Sequence, residues 1–345
     1  MISLLVVNYR SAALAADAIR SARSATAAPL QVVVVDNSCD ASEAESLRPL
    51  ADTLVVSDSN RGYAGAINDG RKRCDGEVII VSNPDVQFGG SAMDQLAGAL
   101  DREAAVAGPA LFWDEAATWM LPPGELQTGW QVIDRSLASR SAAWRRSRDR
   151  RRIRKRIAFW SLKSATRVSA ISGAVMAIRA DCFDAVGGFD ERFALYFEEN
   201  DFLRRVAALR KRIAYVPEAR CRHVYNQSAS QVPEHAVPAY AVSEERYLAK
   251  WNGPFAARLL KRIERQLPPE EAVMISGAVP VGPDGGLVEA SPLPSFDTAA
   301  GHFFQGSSVD IPREVWGAFR GDALYVRVID PRNAEVVATY VRYKS

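Results

Sequence analysis

Glu77-Val78-Ile79-Ile80-Val81-Ser82-Asn83-Pro84-Asp85-Val86 is the stretch that decides the fold of this chain. Val78 to Val81 is an unbroken β-branched run, the pattern of a strand buried on both faces. Pro84 keeps the elbow that follows from continuing as a central strand. In an open α/β sheet, ligands bind beyond the carboxyl ends of the strands, so Asn83 and Asp85 are expected at the mouth of a site. A carboxylate there suits a hard divalent cation bridging to a diphosphate. The same residues also suit a turn whose Asn and Asp bond their own backbone.

Upstream, the same pattern repeats. Ile2 to Val7 reads as a first buried strand, ending in Asn8-Tyr9-Arg10-Ser11, with a helix over Ala12 to Ala25. Gln31 to Val35 is a second strand, ending in Asp36-Asn37-Ser38-Cys39-Asp40, with a helix over Ser42 to Leu50. Thr53 to Val56 is a third, closed by Asp58-Ser59-Asn60, and Arg61 to Asn68 leads into a third helix. This β-α rhythm predicts a doubly wound, mostly parallel, Rossmann-like sheet. Carboxylates and amides at Asn8, Asp36, Asn37, Asn60, Asn83 and Asp85 would share one polar crevice. Gly62 and Gly65 make neither a dinucleotide fingerprint nor a phosphate loop. They suit close backbone approach to a ligand, or helix packing through small residues.

Downstream, Phe112 to Ile133, with three tryptophans and Pro122-Pro123-Gly124, reads as a long surface loop. Ser141 to Ser164 is a basic block. As a helix it would align Ile153, Ile157 and Trp160, and it suits an anionic membrane surface or a solvated, disordered loop. Nucleic acid is a third reading, unsupported by aromatic interleaving. Val168 to Ile178, around Ser172-Gly173-Ala174, reads as one further strand. A helix begins near Glu198, where Glu198, Glu199 and Asp201 either satisfy the helix dipole or supply a general base. Ile213 to Val216 is a strand, and His223 after it is either structural or a metal ligand. From Leu267-Pro268-Pro269 onward, short alternating runs with turns at Pro283-Asp284-Gly285-Gly286 and Asp330-Pro331-Arg332-Asn333 predict a small all-β domain. The expected division is therefore 1–266, with a basic amphipathic insertion at about 140–164, and 267–345. The β domain would serve self-association into a homo-oligomer or hold an acceptor.

Composition bounds these readings. A chain of 345 residues with 48% apolar residues can bury a sizeable core. Net charge is only +2, which argues against nucleic acid as a partner of the whole chain. Arg140 to Arg156 alone holds ten Lys/Arg and one acid, so the remainder is net negative. The four scattered cysteines fit neither a zinc site nor a disulfide framework and suggest a reducing cytoplasm. The apolar run Met1 to Val7 is too short for a signal peptide, and no window approaches a membrane span.

Eight segments, in one order, resemble the family 2 glycosyltransferases of inverting GT-A fold, and in particular their bacterial rhamnosyltransferase-like branch. They are Leu5-Val6-Val7-Asn8-Tyr9, Val34-Val35-Asp36-Asn37-Ser38, Asn60 to Asn68, Ser82-Asn83-Pro84-Asp85-Val86, Ile171-Ser172-Gly173-Ala174, Gly188 to Phe193, Tyr196-Phe197-Glu198-Glu199-Asn200-Asp201, and His223. Together they cover about residues 2–255, and the C-terminal strands lie outside them.

The resemblance implies a metal-dependent inverting hexosyltransferase. It would move a sugar from dTDP-rhamnose or a UDP-sugar to a hydroxyl of a glycan or polyprenyl-diphosphate-linked acceptor, in bacterial cell-surface polysaccharide synthesis. Asn8, Tyr9, Asp36, Asn37, Asn60, Gly62 and Asn83 would hold the nucleotide sugar, with Asp36 accepting from the pyrimidine N–H. Asn83-Pro84-Asp85 replaces the usual Asp-x-Asp, leaving Asp85 and His223 for Mn²⁺ or Mg²⁺. Glu199 stands where the family has a catalytic Asp, and Glu198 is the other candidate base. Gly173 and Asp201 would line the acceptor side. A cytoplasmic enzyme, peripheral at the inner membrane face through its basic block, is the expected setting. The alternative is a non-catalytic nucleotide-sugar- or glycan-binding subunit on the same fold. A nucleotidyltransferase lacks its glycine-rich loop here, and a nicotinamide oxidoreductase lacks its fingerprint.

Overall fold

The computed structural model describes residues 1–224, 233–265, 271–282, 285–317 and 321–344. The domain start expected at Leu267-Pro268-Pro269 and the turn at Pro283-Asp284 lie outside the described residues. The chain forms two compact units. The first comprises Met1–Leu111, Gly124–Gln127 and Lys163–Trp251; the second comprises Phe112–Pro123, Thr128–Leu162 and Asn252–Ser345.

The first unit begins as expected: β1 (Ile2–Asn8), α1 (Ala12–Ser24), β2 (Leu30–Asp36), α2 (Ala41–Leu47), β3 (Thr53–Val56), α3 (Gly62–Arg71), β4 (Val78–Ser82), β5 (Val86–Phe88), α4 (Ala92–Gly98) and β6 (Ala104–Phe112). All seven residues of β1 are buried. Helix α1 buries Ala12, Ala15, Ala18, Ile19 and Ala22, one stripe at helical spacing. Asp40 caps α2 by accepting from Ser42 N–H. Gly70 of α3 leaves no room for a Cβ against Leu5 and Val35, so this helix lies close on β1 and β2.

After two helices of the second unit, α5 (Gly129–Arg140) and α6 (Ala142–Trp160), the first unit resumes. It continues with β7 (Thr166–Val168), β8 (Val175–Arg179), α7 (Ala180–Val186), α8 (Glu198–Ala208), β9 (Arg212–His223) and α9 (Pro233–Asn252). Its sheet runs β3-β2-β1-β4-β8-β6-β9-β5, with β7 beside β9. Strands β3, β2, β1 and β4 are parallel, and β8 turns the sheet antiparallel. Register brings the tips together, with Asn8 opposite Asp36 and Val6 opposite Ser82.

Two strand readings are corrected. Val168 to Ile178 is not one strand: β7 and β8 are separated by the Ser172-Gly173 loop, which leaves the sheet. Strand β9 is longer than expected, so His223 is its last residue and pairs with Val86 rather than following the strand.

The second unit contains α5, α6, α10 (Pro254–Ile263), β10 (Val273–Met274), β11 (Val279–Pro280), β12 (Gly286–Ser291), β13 (Ala300–Phe304), β14 (Ser308–Val309), α11 (Arg313–Gly317), β15 (Ala323–Asp330) and β16 (Glu335–Tyr343). The C-terminal strands form a sheet of their own, as expected, and the compact unit that holds them also takes in the basic block. Ile153 and Trp160 of α6 pack with Leu287, Ile329 and Ala334, flanked by Ile157. The sheet order is β10-β16-β15-β12-β13.

The arginines of α6 are engaged within this unit. Arg156 bonds Glu289 at 2.8 Å and the carbonyls of Phe296 and Asp297. Arg152 meets Asp297 at 2.9 Å, Arg151 meets Asp134 at 2.7 Å, and Arg150 pairs with Glu335. Asp149 lies 3.8 Å from Arg327, whose guanidinium stacks on Phe296. The basic block suited a membrane surface or a solvated loop; five of its arginines (148, 150, 151, 152 and 156) pair with acids of its own unit. No helix among the described residues is long and apolar enough to cross a membrane.

Candidate active site

The carboxyl ends of β1 and β2 build one wall of the crevice. Asn8 is fully buried and its amide nitrogen donates to Asp36 (3.0 Å), Ser38 (3.2 Å) and Glu43 (2.9 Å). Its carbonyl accepts from the backbone and hydroxyl of Ser11. Asn8 is thus an organiser of the tip rather than a group free for a ligand. Asp36 Oδ1 takes Asn8 and the Ser38 N–H, while Oδ2 is buried with no hydrogen bond. A buried acceptor left open in this way suits a ring N–H donor. Tyr9 is half-buried, with the Arg10 guanidinium 5.5 Å from its ring centre.

Asn37 ties β2 to the next tip. Its Nδ2 donates to Asn60 Oδ1 (2.8 Å), and its Oδ1 accepts from Arg61 N–H (2.9 Å). Asn60 also accepts from Gly62 N–H at 2.9 Å. Gly62 has φ +70, and a Cβ there would sit 2.9 Å from the Ala194 backbone. The position therefore requires glycine on conformational and steric grounds. Asn37, Asn60 and Gly62 shape the crevice through these bonds.

The elbow Asn83-Pro84-Asp85 lies beside them. Asn83 N–H donates to Ala174 O at 2.9 Å, and Asn83 Oδ1 accepts from the Tyr63 hydroxyl at 2.8 Å. Asp85 is buried, and its Oδ1 lies 3.2 Å from His223 Nε2 without a hydrogen-bond alignment. The β5–β9 pairing holds these two side chains together. One carboxylate and one imidazole form an incomplete donor set that fits a divalent cation whose other ligands are substrate and water oxygens. Among the described residues, no cluster of three or more His, Cys, Asp or Glu gathers around a metal-sized space.

Helix α8 enters from a strained turn. Tyr196 (φ 68) and Phe197 (φ 67) are both left-handed, which is costly for non-glycine residues. Aromatic packing of Phe197 on Tyr247 and of Tyr196 on Tyr240 supports the turn, and Ser243 donates to Leu195 O. The turn sets two adjacent glutamates at the helix start. Glu198 is buried with Oε2 unbonded. Burial and then the neighbouring Glu199 charge hold its carboxyl well above the ordinary range. Removal from water also raises Glu199, partly offset by backbone N–H groups and Asn200. Gly173 lies against Glu199, and a Cβ there would be 3.1 Å from Glu199 Cγ.

Asp201, expected on the acceptor side, is corrected. It is fully buried and bonded to Arg205 (2.8 Å), Lys250 (2.5 Å) and Trp251 (3.0 Å), leaving nothing for an acceptor.

Sequence reasoning missed Tyr63, Glu43 and Gln127. Tyr63 belongs to the quoted Asn60 to Asn68 segment, but there it reads as helix filler. Burial raises the Tyr63 hydroxyl well above its usual value, and then Glu198, Asp85 and Glu199 add to the rise. Glu43 and Gln127 carry no local signal. Glu43 pins Asn8 from 35 residues away, and Gln127 N–H donates to Asn200 Oδ1 at 3.2 Å.

Residues 1–237 match the family described as Glycosyltransferase like family 2. The chain is 26% identical, over 253 residues (67% of this chain and 80% of the relative), to the N-acetylglucosaminyl-diphospho-decaprenol L-rhamnosyltransferase of Mycobacterium tuberculosis, in strains CDC 1551 and H37Rv alike. Distant likenesses among solved structures include a mannosyltransferase of Pyrobaculum calidifontis in complex with GDP-Man and Mn²⁺ (TM-score 0.45, 16% identity, 76% of this chain and 73% of that one). Another is TarS 1–349 of S. aureus in complex with UDP (TM-score 0.45, 15% identity, 73% and 70%). The large mixed sheet, with its polar crevice beyond the parallel strands, is the GT-A type that the resemblance implied. The chain belongs to the Glycosyltransferase like family 2, and glycosyl transfer is its chemistry.

Proposed function

We propose that this enzyme transfers a hexosyl group, with inversion, from a nucleotide-diphosphate sugar to a hydroxyl of a polyprenyl-diphosphate-linked glycan. The rhamnosyltransferase relative favours dTDP-rhamnose as donor, with a UDP-sugar as the competing choice. The observation that carries the reading is the Tyr63 hydroxyl, which donates to Asn83 Oδ1 of the elbow at 2.8 Å and whose ionisation is opposed by burial first and then by Glu198, Asp85 and Glu199. One side chain is thus bonded to the elbow and feels the charges of the elbow carboxylate and of the paired glutamates of α8, which supports a single shared site.

In this reading Asp36 Oδ2 accepts the N–H of a pyrimidine ring. Asn83, held by Tyr63, lies by the ribose. Asp85 and His223 would hold Mn²⁺ or Mg²⁺, which supplies charge neutralisation to the departing diphosphate. Glu199 takes the proton of the acceptor hydroxyl as that oxygen attacks the anomeric carbon. A base with a raised pKa is matched to proton abstraction near neutral pH, provided it is ionised before the acceptor reacts. Glu198, more deeply buried, is itself raised by burial and then by the Glu199 charge, so it stays protonated beside the base.

A donor screen tests this. Purified full-length chain is offered dTDP-, UDP- and GDP-sugars with and without Mn²⁺, and thermal shift and slow nucleotide-diphosphate release are read. One donor should stabilise the protein and be hydrolysed only with metal. Asp85→Ala should reduce that release about 100-fold and remove the Mn²⁺ response. Metal-independent release at the parent rate in Asp85→Ala would overturn the assignment of the elbow.

A further inference from the structure

Five of the α6 arginines are paired with acids, and a second helix carries unpaired positive charge beside exposed apolar residues. Helix α10 buries Ala257 and Leu260 and turns its other side outward. Phe255 is 82% and Leu259 53% exposed. Arg258 and Arg262 share that side, since positions 255, 258, 259 and 262 fall on one helical face. Neither arginine makes an ion pair or hydrogen bond among the described residues, and Arg265 follows them, exposed. The only acid of this segment, Glu264, lies on another side and pairs with Lys261 and Arg135. On the adjoining α5, Gly129 packs on Leu260 and Asn252, and its neighbour Trp130 is 57% exposed.

From this we infer that the outer face of α10, with Trp130, is an interfacial docking surface for an anionic lipid bilayer. Large apolar side chains interleaved with arginines, on an otherwise well-packed helix, are the pattern of a segment lying in the headgroup plane. Phe255, Leu259 and Trp130 enter the acyl boundary, while Arg258, Arg262 and Arg265 meet lipid phosphates. Charge selects this occupant over a second copy of the chain. A two-fold contact would set the same arginines against themselves, with no acid on the face to offset them. The inference stands on this surface and does not rest on the transfer reading.

Co-sedimentation of the full-length chain with phosphatidylglycerol-containing vesicles, against pure phosphatidylcholine, is the test. The parent should bind the anionic vesicles, and added salt should weaken binding. Phe255→Ser/Leu259→Ser and Arg258→Glu/Arg262→Glu should each lower the partition coefficient about tenfold or more. Arg102→Glu/Arg146→Glu, the same charge change at exposed positions elsewhere, should leave it nearly unchanged. Donor-induced thermal shift should be intact in every variant, which separates failure of docking from failure of the transfer reading. Parent-level binding by the α10 variants, or none by the parent, overturns the proposal. So does a dimer, measured by sedimentation velocity, that the Phe255→Ser/Leu259→Ser change dissolves.

Discussion

The carboxylates at the strand tips of the first unit and those beneath α6 in the second are buried to a similar degree, yet their surroundings are opposite. Asp36, Asp85 and Glu198 each keep an oxygen without a hydrogen bond, as Glu289 does, but none of the three pairs with Arg or Lys among the described residues. Glu289 and Asp149 face Arg156 and Arg327. An unpaired buried charge costs several kcal/mol; a paired one mainly orders its surroundings. Sites are where that cost is retained. The contrast separates chemistry from scaffold better than counting charged residues does. Asp201 makes the point inside the first unit: it sits two residues from Glu199, yet three donors claim it.

Removing a charge from each region sharpens the comparison. The largest effect is expected at Glu199→Gln, which keeps the shape but cannot take a proton. Its kcat should fall about 1000-fold while donor binding stays within about twofold. A variant retaining a tenth of parent turnover would move the base elsewhere. Next is Arg156→Met, which strands the Glu289 charge. Denaturant unfolding should show a loss of about 3–5 kcal/mol, most of it recovered in Arg156→Met/Glu289→Leu. Unchanged stability in the single variant would break the picture of a balanced network.

The smallest effect is a gain. The Glu198 carboxyl is raised in the folded state, so its ionised form opposes folding above the folded pKa. That opposition vanishes below the unfolded value near 4.5. Glu198→Gln should therefore stabilise the protein by roughly 1 kcal/mol at pH 8 and not at pH 4, by thermal melts. Equal shifts at both pH values would show that the effect is packing rather than charge.

Much of the first unit was legible because its strands are continuous apolar runs with polar tips. Val78 to Val81 and Val32 to Val35 need no partner to announce burial on both faces. The tips were legible for the same reason: Asp36, Asn83 and Asp85 interrupt those runs where a parallel sheet opens. The loop within Val168 to Ile178 was not legible, since Ala170, Ile171 and Ala174 are buried outside the sheet and look like strand. Nor were Glu43 and Gln127, whose roles depend on segments 35 and 73 residues away.

By itself the sequence determined the element types, the parallel core, the crevice and the family, because hydrophobic period and turn chemistry are local. Tertiary structure decided which charges are free. Helix α6 carries far more arginine than α10, but five of its guanidiniums find acids, Glu289, Asp297 and Glu335 among them, whereas Arg258 and Arg262 find none among the described residues. Whether a charge is compensated depends on what folding brings within about 4 Å of it, and at that range Coulomb and desolvation energies, not composition, set its role.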